Sequence, residues 1–147
     1  MATYWERWKT EGQAWNAIFK QMDPILVTFA EEHGCRLTRN HWDAPDRQLS
    51  WKDGLIERDI HIYIAGELPA YRIVCEGSAW WESFLGDSGT RYWLSNNLWE
   101  IWAENIPSKL NKALLEATFR QVSGWNESLI RKEGKESRIE ASQRMLR

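Results

Sequence analysis

Apolar and polar residues alternate with a period of two through residues 49–81, the pattern typical of β-strands that bury one face. Two turn signals, at Asp53-Gly54 and at residues 66–69, divide the stretch into hairpins. Pairing the strands across both turns places a set of mainly apolar residues on one face: Leu49, Trp51, Ile56, Ile60, Ile62, Ile64, Ile73 and Cys75. The polar residues on the other face are Glu57, Asp59, His61, Arg72 and Glu76. Because two independent turns select the same faces, the pattern predicts an antiparallel meander.

The same turns predict the register of the strands. A two-residue loop at Asp53-Gly54 pairs Trp51 with Ile56, and the second turn pairs Asp59 with Glu76. Two carboxylates in such a pair lie about 5 Å apart, which raises the pKa of one of them.

Helical periodicity precedes the sheet. Thr3 and Glu6 have the spacing of a capping box, so a helix is predicted to begin at Tyr4. Its apolar stripe, which we assign to the core, consists of Tyr4, Trp8, Trp15, Ile18, Phe19 and Met22. Asp23-Pro24 resembles an N-cap followed by proline, so we expect a break or kink there and a second helix that ends at His33-Gly34.

Further elements are predicted on both sides of the hairpins. Residues 35–41 form a mixed strand, and residues 91–94 return as a fifth strand. Ser95 or Asn96 can cap a helix whose apolar residues are Leu98, Trp99, Ile101 and Trp102. Another helix, opened by Pro107, has an apolar stripe of Leu110, Leu114, Ala117 and Val122.

The order of these elements predicts an α+β fold. N-terminal helices precede an antiparallel meander of four to five strands, and C-terminal helices pack on one sheet face. We expect residues 1–125 to form a single domain. In residues 126–147 the apolar residues thin out between charges of alternating sign, which predicts a charged helix or tail.

Composition and charge exclude several functions. The net charge of −2 provides no basic field for nucleic acid, and no run of 18 apolar residues predicts a membrane span. Cys35 and Cys75 lie in separate predicted strands, so we expect free thiols in a reducing compartment and a cytoplasmic protein. No sequence motif calls for a cofactor or a metal ion.

Tryptophan is the compositional outlier, with eleven residues in a chain of 147. Exposed Trp and Arg side chains dominate protein interfaces. The predicted strand ends and loops contain Trp42, Trp80, Trp81 and Trp93, and Arg72 lies on the polar sheet face. These five residues are the candidate binding residues of a non-enzymatic protein that engages a protein partner or self-associates.

Two alternatives remain open. A small-molecule pocket between the sheet and the C-terminal helices would have aromatic walls from Trp51, Tyr71, Trp99 and Trp102. A hydrolase-type site would use Asp59, His61 and Glu76, which share the polar face and combine carboxylates with an imidazole base.

Overall fold

The computed structural model describes residues 3–40, 45–85 and 88–140. Its helices and strands are α1 (Tyr4–His33), β1 (Arg36–Asn40), β2 (Asp46–Asp53), β3 (Ile56–Glu67), β4 (Ala70–Leu85), β5 (Ser88–Trp102), α2 (Lys112–Ser123), α3 (Glu127–Glu133) and β6 (Lys135–Glu140). The predicted α+β class is therefore confirmed. Among the described residues, no helix has both the length and the apolar character needed to cross a membrane.

The sheet has six strands rather than four to five. They lie side by side in chain order, and every neighbouring pair is antiparallel. β6 is the additional strand, and β5 is longer than the predicted fifth strand. β5 continues through the residues that were predicted to begin a C-terminal helix, and β6 lies within the segment predicted as a charged helix or tail.

A β-bulge explains why the second half of β5 resembles a helix in sequence. Cys75 pairs with Trp99 and Glu76 pairs with Asn97, so Leu98 is an extra residue without a partner on β4. Leu98 and Trp99 consequently both pack against the core, and the strict alternation is interrupted. The helix predicted over these residues is therefore wrong.

The register of the first hairpin is shifted by two residues from the prediction. Trp51 pairs with Arg58 instead of Ile56, because the loop consists of Gly54 and Leu55. Gly54 has a φ of 64° and Leu55 has a negative φ, as in a type II′ turn with glycine at its first central position. A shift of two residues leaves every side chain on its predicted face.

The second hairpin shows the same two-residue shift. Its loop is Leu68-Pro69, joined by a cis peptide bond. Asp59 therefore pairs with Ser78, and Glu76 pairs with His61. The predicted Asp59–Glu76 pair is wrong, although both residues keep their predicted face.

The N-terminal segment is one helix rather than two. Its capping box at Thr3 and its end at Gly34, where φ is 67°, are as predicted. Pro24 lies inside α1, so the predicted break is wrong. Proline removes the hydrogen bond to the carbonyl of Lys20, and Lys20 lies on the exposed side of the helix, where water can replace that bond. The buried stripe continues past the proline through Met22, Leu26, Phe29 and Ala30.

The helices contact one face of the sheet, which we call the covered face. The alternate residues of β3 from Ile56 to Ile64 are buried there, together with residues from α1, α2 and α3. Among them are two buried arginines, Arg47 and Arg58. Arg47 pairs with Asp23 of α1, and Arg58 donates to the carbonyls at the end of α2.

One end of α1 is fixed to the β3–β4 hairpin by Glu11. Its carboxylate accepts hydrogen bonds from Arg7 Nε at 2.6 Å and from the Tyr71 hydroxyl at 2.5 Å. Arg7 also donates to the carbonyl of Gly66. The hydrogen bond from Arg7, followed by that from Tyr71, lowers the pKa of Glu11 to about 2.

Glu11 is therefore expected to make stability depend on pH in acid. Because its pKa is lowered on folding, its contribution is complete above about pH 4.5 and is lost as the pH falls towards 2. Between these values the free energy of unfolding of wild type should fall more steeply than that of Glu11→Gln. Urea unfolding at several pH values measures both slopes, with the exposed Glu31→Gln as a control. Parallel curves for wild type and Glu11→Gln would contradict this role.

Candidate functional site

The sheet face opposite the helices, which we call the open face, presents mainly polar and aromatic side chains. Strand alternation and the observed register place on it Asp46, Gln48, Asp59, His61, Tyr63, Arg72, Glu76, Ser78, Trp80, Arg91, Trp93, Ser95, Glu100 and Trp102. The helix contacts described above fall on the covered face instead. The open face is thus the candidate functional surface.

An aromatic cleft lies at one end of the open face. Trp80 of β4 and Trp93 of β5 are cross-strand partners, and both are partly exposed. The guanidinium of Arg91 lies 4.7 Å from the ring centre of Trp80 and is paired with Glu82. The cleft has a volume of about 390 Å³, and its lining residues are Ser78, Trp80, Arg91, Trp93, Ser95 and Ser137.

A polar depression, the acidic centre, adjoins the aromatic cleft. It has a volume of about 320 Å³, and its lining residues are Asp46, Gln48, Asp59, His61, Glu76, Gly77, Ser78 and Ser95. His61 Nε2 lies 2.8 Å from the Asp46 carboxylate. The Tyr63 hydroxyl donates to Glu76 at 3.1 Å. Because Ser78 and Ser95 line both depressions, the two form one continuous surface.

The pKa of the Asp59 carboxyl lies above its ordinary value. Partial burial raises its pKa, and the negative charge of Glu57 acts in the same direction. Hydrogen bonds from Gln48 and Ser78 and the neighbouring His61 oppose the shift. Asp59 can therefore exchange a proton in the same depression as the His61–Asp46 pair, in which the imidazole can act as a base.

The other end of the open face contains a third tryptophan. Trp102 pairs with Arg72 across β5 and β4, and it is 49% exposed. Arg72 forms a salt bridge with Glu100 at 2.6 Å. Arg72 and Trp80 are eight positions apart on β4, which corresponds to about 25 Å along the strand. Aromatic side chains therefore occur at both ends of the face.

The structure divides the predicted binding residues. Trp80, Trp93 and Arg72 lie on the open face, whereas Trp42 lies outside the described residues. Trp81 is 6% exposed and stacks on Tyr92 in the core, so the prediction that it is a surface residue is wrong. Adjacent residues of a strand point to opposite faces, and the covered face receives Trp81.

Asp59, His61 and Glu76 do come together in the acidic centre, as the hydrolase hypothesis required. Within residues 3–40, 45–85 and 88–140, no group of three or more His, Cys, Asp or Glu side chains could hold a metal ion. Both cysteines lie elsewhere, and burial raises the pKa of Cys35 to about 11. Burial also raises the pKa of the Cys75 thiol, and the negative charge of Glu76 acts in the same direction.

The four aromatic residues predicted to wall a small-molecule pocket do not converge. Trp51 packs on Phe119, and the indole N–H of Trp99 donates to the hydroxyl of Thr118. Both partners belong to α2. Tyr71 instead contacts α1 through Glu11, and Trp102 is on the open face. These residues therefore connect the sheet to different helices or face solvent.

Sequence reasoning missed Arg91 and Asp46. Arg91 lies two residues before Trp93, so the period of two within the predicted fifth strand already placed both on the same face, although Arg91 was not taken as a candidate. Asp46 begins β2, before residues 49–81 to which the period of two was applied; it pairs with Tyr63 and reaches His61 as a diagonal neighbour. Comparisons with protein families, with curated proteins and with solved structures found no match to this chain.

Proposed function

We propose that this protein is a non-enzymatic binding protein that engages a protein partner, or a second copy of itself, through the open face. The observation that supports this most directly is the position of Trp80, Trp93 and Trp102. All three belong to the sheet face opposite the helices, and they are spread over about 25 Å. Tryptophan contributes strongly to binding when a partner removes it from water.

The extent of the face favours a macromolecule as the partner. A typical interface buries about 800 Å² on each side, which requires a surface that is tens of ångströms across. The open face also mixes aromatic residues with charged pairs such as Arg72–Glu100 and Arg91–Glu82. Aromatic anchors surrounded by polar groups are typical of protein interfaces.

Site-specific photo-crosslinking in cells tests this proposal. A benzophenone amino acid is placed at Trp102 on the open face and, as a matched control, at the exposed Trp5 of α1. We expect an adduct of defined mass from position 102, weakened by a second substitution, Trp93→Ala, and no such adduct from position 5. Sedimentation of the purified chain distinguishes a second copy from another protein. Equal labelling from both positions would contradict the proposal, as would no labelling together with a monomeric protein.

A hydrolase-type reaction at Asp59, His61 and Glu76 is the second candidate. It is favoured by the raised pKa of Asp59 beside the His61–Asp46 hydrogen bond. Chromogenic esters, phosphate esters and glycosides are offered to wild type and to Asp59→Asn. Turnover that is lost in Asp59→Asn supports this candidate, and equal rates in both proteins remove it.

A further inference from the structure

We propose that the aromatic cleft and the acidic centre beside it bind a neutral sugar ring of an oligosaccharide. This inference goes beyond binding of a protein partner and does not depend on it. It concerns a ligand site of the purified chain, lined by side chains that are already in place on the strands of the sheet. Strands hold such side chains with less loss of freedom on binding than loops do.

The aromatic residues suit the apolar side of a sugar ring. A pyranose has C–H groups on its faces and hydroxyl groups around its edge. The C–H groups carry partial positive charge and pack on the electron-rich face of an indole. Trp80 and Trp93 are neighbours across two strands and provide two indoles at the cleft. Arg91 lies over one face of the Trp80 indole, so the sugar ring is expected to pack mainly on Trp93, and the guanidinium N–H groups not bound to Glu82 can donate to a sugar oxygen.

The polar residues suit the hydroxyl edge of the ring. A hydroxyl both donates and accepts, so its site needs acceptors and donors side by side. Asp59 and Glu76 supply carboxylate acceptors, and Gln48 supplies an amide with both functions. Ser78 and Ser95 stand at the junction of the two depressions and connect them. One ring on the indoles can therefore reach hydrogen-bonding groups of the acidic centre.

The charge distribution disfavours an anion and leaves a cation as the competing class of ligand. An anion bound at the indoles would be attracted by Arg91. It would also be repelled by the carboxylates of Asp59 and Glu76 in the adjoining acidic centre. A cation would be attracted by these carboxylates, so arginine amide is the probe that tests this alternative. Arg91 is already paired with Glu82, and the hydrogen bonds described for Asp59 and Glu76 come from neutral donors. A neutral ligand that both donates and accepts hydrogen bonds is compatible with the aromatic cleft and with the acidic centre.

The size of the surface is consistent with a small oligosaccharide. Each depression, at about 390 and 320 Å³, is comparable with known small-molecule sites, which run from roughly 300 to 1,000 Å³. Because the two are contiguous through Ser78 and Ser95, more than one sugar unit can be accommodated.

Titration of the full chain, labelled with ¹⁵N on the tryptophan indoles, tests the site. The probes are neutral trisaccharides of glucose, N-acetylglucosamine, mannose and galactose, with arginine amide and inorganic phosphate as charged probes. We expect at least one trisaccharide to shift the indole N–H signals of Trp80 and Trp93 at millimolar concentration. The signals of Trp5 on α1 and of the buried Trp125 should stay in place. Trp93→Ala should weaken binding by about tenfold, the loss of one well-packed aromatic contact, and Trp5→Ala should not change it.

A second variant keeps the test decisive if Trp93→Ala does not fold. Ser95 is exposed and lines both depressions, so Ser95→Arg fills the surface without removing a core contact. It should abolish the shifts produced by the trisaccharide. The proposal is overturned if no trisaccharide moves Trp80 and Trp93, if only arginine amide or phosphate does so, or if Ser95→Arg binds as wild type does. None of these results bears on the crosslinking from position 102, so the protein-partner proposal is decided separately.

Discussion

Replacing Arg58 with alanine is expected to lower the free energy of unfolding by about 4 kcal/mol. The Arg58 side chain is 3% exposed, and its Nη1 donates to the carbonyls of Val122 at 2.5 Å and Trp125 at 2.9 Å. These carbonyls mark the junction of α2 and α3, so one guanidinium connects that junction to β3. Alanine leaves both carbonyls without their charged donor and opens a cavity around the lost stem.

Two further variants separate the causes. Arg58→Met keeps an apolar stem in the cavity but donates no hydrogen bond, so it should recover part of the loss, about 1–2 kcal/mol. Arg72→Ala removes an arginine from the same sheet whose partner, Glu100, is also exposed, and should cost less than about 1 kcal/mol. Urea unfolding followed by tryptophan fluorescence measures all three. A cost for Arg58→Ala as small as that for Arg72→Ala would show that the α2–α3 junction does not depend on Arg58.

The ends of α1 could be predicted because they depend on local chemistry. The capping box needs only Thr3 and Glu6 three residues apart, and the C-terminal end needs a residue that tolerates the φ of 67° found at Gly34. The interior of the helix was harder to predict. Pro24 signals a break locally, but the apolar stripe on both sides of it packs on one continuous core. Tertiary packing outweighed the local preference.

The faces of the sheet were predicted correctly and its register was not, and both results have one cause. A period of two fixes which residues share a face, but a slip of two residues leaves that pattern unchanged. The placement of Asp59, His61 and Glu76 on one face was therefore predictable. Their partners were not, since Asp59 lies opposite Ser78 rather than Glu76. The acidic centre thus has a different arrangement from the one that the sequence predicted.

The aromatic cleft was only half predictable for a related reason. Continuing the period of two from Ile73 and Cys75 places Trp81 on the apolar face. We instead assigned Trp80 and Trp81 to strand ends or loops and did not extend the alternation to them. The structure buries Trp81 and leaves Trp80 beside Trp93. The bulge at Leu98 added a second difficulty, because two consecutive inward residues imitate helical spacing and concealed the long β5.

Buried arginines were the least predictable feature of the core. The period of two places Arg58 between Ile56 and Ile60 on the covered face, and it places Arg47 beside Leu49. Some of their partners are local: Arg58 pairs with the exposed Asp53 at 3.5 Å, and Arg47 donates to the carbonyl of Asp46. The sequence does not identify the others, which are Asp23, assigned to a helix cap, and carbonyls more than sixty residues away in the chain. Such pairings depend on how the helices are placed over the sheet.

The Arg47–Asp23 pair leads to the second large expected effect. Arg47 is 2% exposed, and its guanidinium donates to both oxygens of Asp23, at 2.8 and 3.2 Å, and lies 3.8 Å from the ring centre of Phe19. Asp23→Ala leaves a buried cation without its carboxylate and is expected to cost about 3 kcal/mol. Arg47→Met should cost less, about 1–2 kcal/mol, because the remaining Asp23 is 23% exposed and can be hydrated.

The double variant gives the sharper result. Asp23→Ala combined with Arg47→Met should be more stable than Asp23→Ala alone, because methionine removes the uncompensated charge from the core. Urea unfolding measures the coupling, with Glu100→Ala as a carboxylate control whose partner, Arg72, is exposed. If the two substitutions are additive instead, Arg47 is hydrated despite its burial, and α1 is held to β2 by the apolar contacts of its stripe rather than by this ion pair.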